Sequence, residues 1–201
     1  MSLLAASQIK ELIINEHLVS RSPMDSDEEW WERVNFIEGS SMDLTIDRLF
    51  TRSMGVVKVP FIGRKSREGA KLEEISPIYD EERDEMVWEL KPGFNNSYVA
   101  MTGELVNFPA NVAGVLAARS TCFLNGLYPG VTWIAPGFSG KLRFGLNPSD
   151  TVKVGRGARV ISLHVMHFDE GMTAEDVDVY KGIWGLSNPD KITTDSVERP
   201  H

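Results

Sequence analysis

Three consecutive residues, Arg119-Ser120-Thr121, offer the most direct chemistry in the 201-residue chain. A guanidinium presents a fixed fork of donors, and two hydroxyls beside turn amides add short ones, a combination that suits a phosphate group. The apolar run 112–117 just before it reads as a buried strand that delivers the triplet to a turn. Such triplets are common at strand ends, so this one gains weight only from its surroundings. Downstream, Pro136-Gly137 and Gly140 make a tight reversal into a second strand, 141–146, and glycines there let the backbone approach a planar ligand. Trp133 and Phe144 border that reversal and can either fill space or stack on a base, while Lys141 and Arg143 face either a phosphate or solvent.

Other chemistries are excluded. The chain has no Gly-rich phosphate loop ending in Lys-Ser/Thr and no dinucleotide fingerprint after a strand. His164 and His167 stand three apart on an expected strand, hence on opposite faces, so they make no metal clamp. The single cysteine, Cys122, rules out an internal disulfide framework and a Cys-rich zinc site, and reads as a small buried residue. With 21 basic against 29 acidic residues the net charge is −8, which argues against a general nucleic-acid coat but leaves room for a local anion pocket. No apolar run approaches the roughly 20 residues that span a bilayer. The first 18 residues carry Lys10, Glu11, Glu16 and His17, unlike a secretory leader, and the expectation is a cytoplasmic protein.

The elements that must position these residues are mostly strands. Ile9, Leu12 and Ile13 share one face of a short amphipathic helix over 7–18. Ser22-Pro23 and the acidic run 25–29 then break the pattern, with Trp30 and Trp31 covering a hydrophobic rim. Met42, Leu44 and Ile46 alternate with Asp43, Thr45 and Asp47, the strand period. Residues 63–74 read as a mobile insertion or hairpin tip. Short apolar runs separated by turn signals follow at 86–90, 98–101, 112–117, 141–146, 151–154 and 159–168, the rhythm of a barrel or sandwich rather than a parallel sheet. The polar end reads as a loose tail.

In order and spacing these motifs resemble the dCTP deaminase branch of the trimeric dCTP deaminase/dUTPase superfamily. After the opening helix, Ser41-Met42-Asp43-Leu44 is similar to the family's Ser/Thr-Val-Asp-Leu strand, followed by Pro92-Gly93 and Thr102-Gly103-Glu104-Leu105-Val106-Asn107-Phe108-Pro109. Ala118-Arg119-Ser120-Thr121 stands for Gly-Arg-Ser-Ser, Asn125-Gly126-Leu127 for Leu-Gly-Leu, and Ile134-Ala135-Pro136-Gly137-Phe138-Ser139-Gly140 for Ile-Asp-Pro-Gly-Phe/Trp-x-Gly. Tyr180-Lys181-Gly182-Ile183-Trp184-Gly185 stands for a closing Tyr-x-Gly-Gln-x-Gly loop.

The resemblance implies a mainly β fold, a distorted dUTPase-like β-clip barrel with a short N-terminal helix, over 1–185, with 186–201 as a C-terminal tail. It implies a homotrimer with sites between subunits, dCTP or dUTP as partner, Mg2+ accompanying the triphosphate, no zinc, and no nucleic acid or membrane partner. Arg119, Ser120, Thr121, Trp133, Ala135, Phe144, Gly145, Tyr180 and Lys181 are the nucleotide-binding candidates it gives.

The chain departs from the family where catalysis is expected. Ala135 replaces the Asp of Ile-Asp-Pro-Gly, and Gly145 stands at the position of the deaminase's water-activating Glu. Neither carries a titratable group, and losing a general base commonly costs about two to four powers of ten in rate. The nearest acids by sequence are Asp43, Glu104 and Asp150; the resemblance makes Glu104 structural and gives Asp43 the task of organising the barrel and site. No catalytic residue is therefore assigned. Two functions stay open: dCTP deamination to dUTP, with or without dUTP hydrolysis, and a catalytically inactive trimeric relative that binds a nucleotide or a protein.

Overall fold

The computed structural model describes residues 2–37, 39–52, 72–93 and 97–167. A two-residue strand β1 (Ser2–Leu3) leads into helices α1 (Ala6–Glu16) and α2 (Asp27–Asn35). Strands β2 (Ser41–Arg52), β3 (Leu72–Ile75), β4 (Ile78–Asp80), β5 (Glu85–Leu90), β6 (Tyr98–Asn107) and β7 (Val112–Ala118) follow. After the short helix α3 (Ser120–Leu124) come β8 (Leu127–Pro129), β9 (Thr132–Ile134), β10 (Ser139–Pro148), β11 (Val152–Gly155) and β12 (Arg159–His167).

Nine strands form one antiparallel sheet in the order β8-β10-β6-β2-β12-β7-β9, with β1 beside β12 and β3 beside β2; β11-β5-β4 form a smaller sheet. The ladder slips register within β2, β10 and β12. Irregularities of this kind bend strands and raise their twist, so the large sheet curls instead of lying flat. The fold is thus mainly β with few helices, as expected. Its core joins Ile9 and Ile13 of α1 and Trp30 and Val34 of α2 to Leu44, Ile46, Leu116, Leu146, Ile161 and Leu163 of the sheet.

Helix α2 corrects the sequence reading, which took residues 25–29 for a break. Ser26 accepts a hydrogen bond from the Glu29 amide at 3.2 Å and donates its own amide to the Glu29 carboxylate at 2.8 Å, a capping box. Asp27, Glu28 and Glu29 lie in the first turn, where acids favour the positive end of the helix. Trp30 is buried by this helix, whereas Trp31 is 49% exposed. Of residues 63–74, only Leu72, Glu73 and Glu74 are described, within β3; the tail, with Tyr180, Lys181 and Trp184, lies outside the described residues. Among the described residues no helix is long and apolar enough to cross a membrane.

Candidate functional site

Strand period places Ser41 and Asp43 of β2 on one face, directly opposite His164 and Ser162 of β12. Strand β7 pairs along the other edge of β12 and leads into Arg119, the N-cap residue of α3. The Arg119 Nε lies 2.9 Å from Asp43 Oδ2, and its Nη1 donates to the Arg159 carbonyl at 3.0 Å. The Ser162 hydroxyl donates to Asp43 Oδ1 at 2.6 Å. Both carboxylate oxygens of Asp43 are therefore engaged. These strands and the end of α2 enclose a cleft of about 430 Å³, lined among others by Arg33, Arg119, Ser120, Arg159, Ser162 and His164.

Beneath the cleft sits a buried polar knot. Arg33 of α2 donates its Nη2 to Glu104 Oε1 and to the Asp43 carbonyl, each at 2.6 Å, and its Nη1 bonds the Asp25 carboxylate. Glu104 also accepts from the Thr45 amide at 3.0 Å and lies 3.0 Å from the Thr45 hydroxyl. Burial pushes the Glu104 carboxyl above its ordinary value, and the Arg33 guanidinium pulls it back only in part. Glu104 is fully enclosed, so no water in the cleft can reach it. That placement fits the structural part expected of Glu104, just as Asp43 organises the cleft. Asp150 is exposed in the β10–β11 turn, where it accepts from the Thr151 amide at 2.7 Å.

The remaining sequence-predicted residues fall elsewhere. Ser120 lines the cleft; Thr121 is exposed on α3, its carbonyl accepting from Asn125 at 2.7 Å. Trp133, 48% exposed, lies on β9 opposite Val115, and Ala135 is buried at the turn that follows. Phe144 is buried in the core and Gly145 is exposed, both on β10, which β6 and β2 separate from β12. One chain thus brings Arg119 and Ser120 to Asp43, but not Phe144 or Gly145. Cys122 is buried, its thiol pushed above the ordinary value by desolvation. His164 faces the cleft while His167 contacts Asn111 at 3.0 Å, as their opposite faces require. Sequence reasoning missed Arg33, Arg159, Ser162 and His164 as cleft residues. The capping box of α2 and the matched alternation of β2 and β12 were the available signals.

The family model of the dCTP deaminase-like proteins matches residues 3–167. The chain belongs to the dCTP deaminase-like family. No curated protein matches it in sequence. Among solved structures, 2'-deoxycytidine 5'-triphosphate deaminase from Agrobacterium tumefaciens superposes with a TM-score of 0.59 at 17% identity, over 94% of this chain and 56% of that one. The chain therefore spans little more than half the length of that relative. Staphylococcus bacteriophage 80alpha dUTPase with dUPNHPP aligns over 48% of this chain and 78% of that one at 16% identity, TM-score 0.36. The D95N dUTPase of phage phi11 of S. aureus, described with a structural Mg(II) ion, aligns over 48% and 86% at 15%, TM-score 0.37. Within the dCTP deaminase-like family, then, this chain keeps an arginine–serine cleft and carries alanine and glycine at 135 and 145.

Proposed function

We propose that the protein binds a deoxypyrimidine triphosphate, dCTP or dUTP, in the Arg119–Ser120 cleft and does not turn it over by the family's water-activating carboxylate. The observation that carries this reading is the state of Asp43, the one carboxylate lining the cleft among the described residues, whose two oxygens are held by Arg119 and Ser162. A base must offer a lone pair within hydrogen-bond reach of water, and each Asp43 oxygen already accepts a hydrogen bond, one from a guanidinium and one from a hydroxyl, which ties the carboxylate to the protein. Arg119 keeps donors beyond those bound to Asp43 and Arg159, and Ser120 and Thr121 add hydroxyls beside it.

Mg2+ fits this site as a companion of the ligand. Among the described residues no three His, Cys, Asp or Glu side chains gather to hold a metal. Phosphate oxygens and water satisfy a hard cation without such a cage, and when bound it neutralises phosphate charge. Trp133, Gly145, Tyr180 and Lys181 would serve the ligand from other copies of a homotrimer, whereas the side chains of Ala135 and Phe144 are buried within their own chain. The separation of β10 from the Arg119 cleft supports that assembly, since a complete family site then needs more than one chain. A cytoplasmic setting accords with a lone free thiol.

Deamination of dCTP, with or without dUTP hydrolysis, is the second reading. Family membership favours it, and it requires an acid delivered by another copy. Calorimetry with dCTP and dUTP in Mg2+ tests the binding reading: micromolar or tighter affinity is expected. Arg119→Ala should weaken it roughly ten- to hundredfold, the value of a charge-assisted hydrogen bond. Absence of binding by the folded protein overturns it, and ammonia release from dCTP above blank transfers the case to deamination.

A further inference from the structure

Hydrogen bonds already made within the chain decide which cleft groups can hold a ligand. Arg33 is committed to Glu104, Asp25 and the Asp43 carbonyl. Asp43 and Ser162 are committed to each other, and Asp43 to Arg119. Two polar side chains on the same wall are not. Arg159 and His164 both line the cleft, and neither side chain makes a hydrogen bond or ion pair among the described residues. Arg159 also acts at a distance on the Glu29 carboxylate, helping to hold its pKa down.

Both belong to β12, Arg159 three residues before Ser162 and His164 two residues after it. They therefore flank the Arg119–Asp43 pair. Their backbones are about 16 Å apart along the strand, a gap that the length of an arginine side chain can narrow. A single phosphate cannot bridge it, whereas a polyphosphate chain can. Arg119 is paired with Asp43, and Arg33 with Glu104 and Asp25, so of these three arginines Arg159 is the one with no ion pair among the described residues.

We infer that Arg159 and His164 are ligand-binding residues that grip the phosphate chain of a nucleoside triphosphate lying along β12, one on each side of Arg119. This rests on the binding reading above and names residues that neither the motifs nor the family resemblance assigns.

The test is titration of the folded protein with dCTP in Mg2+, using Arg159→Gln, His164→Ala and, as a control for lost charge, Arg83→Gln on the smaller sheet's exposed turn. Each cleft variant should weaken binding about tenfold, as loss of one charge-assisted contact does, with Arg83→Gln within about twofold of wild type. Inorganic tripolyphosphate should compete with dCTP in wild type and lose about as much in both cleft variants. Wild-type affinity in either cleft variant, an equal loss in Arg83→Gln, or undiminished competition by tripolyphosphate overturns the inference. Should His164→Ala not fold, His164→Asn replaces it under the same criteria. Failure of the wild type to bind dCTP or dUTP removes the underlying reading itself and is distinguishable from these outcomes.

Discussion

Replacing Glu104 by alanine tests the polar knot under the cleft. The carboxylate is 0% exposed and faces the Arg33 Nη2 at 2.6 Å, with the Thr45 amide at 3.0 Å. Its removal leaves Arg33, whose Nε already lacks a partner, with Asp25 as its remaining counter-charge, and orphans the Thr45 amide. Breaking a buried ion pair costs about 3–5 kcal/mol, and a stranded donor about 1–3 kcal/mol. Because Asp25 still offsets part of the charge, we expect a loss of about 4 kcal/mol, a large share of an ordinary domain's roughly 5–15 kcal/mol. Arg33→Met alone strands Glu104 and should cost a similar amount. The double variant Arg33→Met/Glu104→Leu removes both charges, and should lose at least about 2 kcal/mol less than the sum of the single losses. Urea unfolding followed by tryptophan fluorescence measures all three, with an unchanged slope showing that the unfolded state is the same. A loss below about 1 kcal/mol in Glu104→Ala, or strict additivity in the double variant, refutes the reasoning.

Two further perturbations address catalysis and pH. A Cβ added at Gly145 would meet nothing within 4 Å, and a strand glycine is weaker than alanine by roughly 0.5–1 kcal/mol, so Gly145→Glu should fold about as stably as wild type. If the rest of the family site survives, its ammonia release from dCTP should exceed that of Gly145→Gln by about two powers of ten; equal rates in the two variants show that a missing carboxylate is not what limits the site. At Asp47, burial pushes the carboxyl up, but hydrogen bonds from Arg156 and Lys141 outweigh it and hold it below its ordinary value. The folded state thus binds this proton less tightly than the unfolded chain, so the contribution is present at neutral pH and disappears as pH falls below about 4. Asp47→Asn should therefore be less stable than wild type at pH 7, with the gap narrowing progressively as pH falls below about 4, measured by denaturant midpoints; a gap that stays constant as the pH is lowered contradicts the assignment.

Local pattern made much of this molecule legible. The alternation around Asp43, the apolar run before Arg119 and the spaced turn signals all arise from short-range rules, namely strand period and turn chemistry, and each led to a strand found in the fold. The capping box of α2 obeys an equally local rule, but its acidic residues masked it as a break. Arg119 and Ser120 were candidates for holding an anion because a guanidinium beside hydroxyls suits one, and both line the cleft. What only the tertiary structure decided is which groups remain available. Asp43 and Arg119 are 76 positions apart in the chain, and their pairing follows from β12 lying between β2 and β7. That order, set by the burial of a curled sheet around α1 and α2, occupies Asp43, seals Glu104 beneath Arg33, and carries Gly145 away on β10. It leaves Arg159 and His164 facing the cleft, because hydrogen-bond partners separated by a hundred residues are chosen by packing, and no local spacing encodes them.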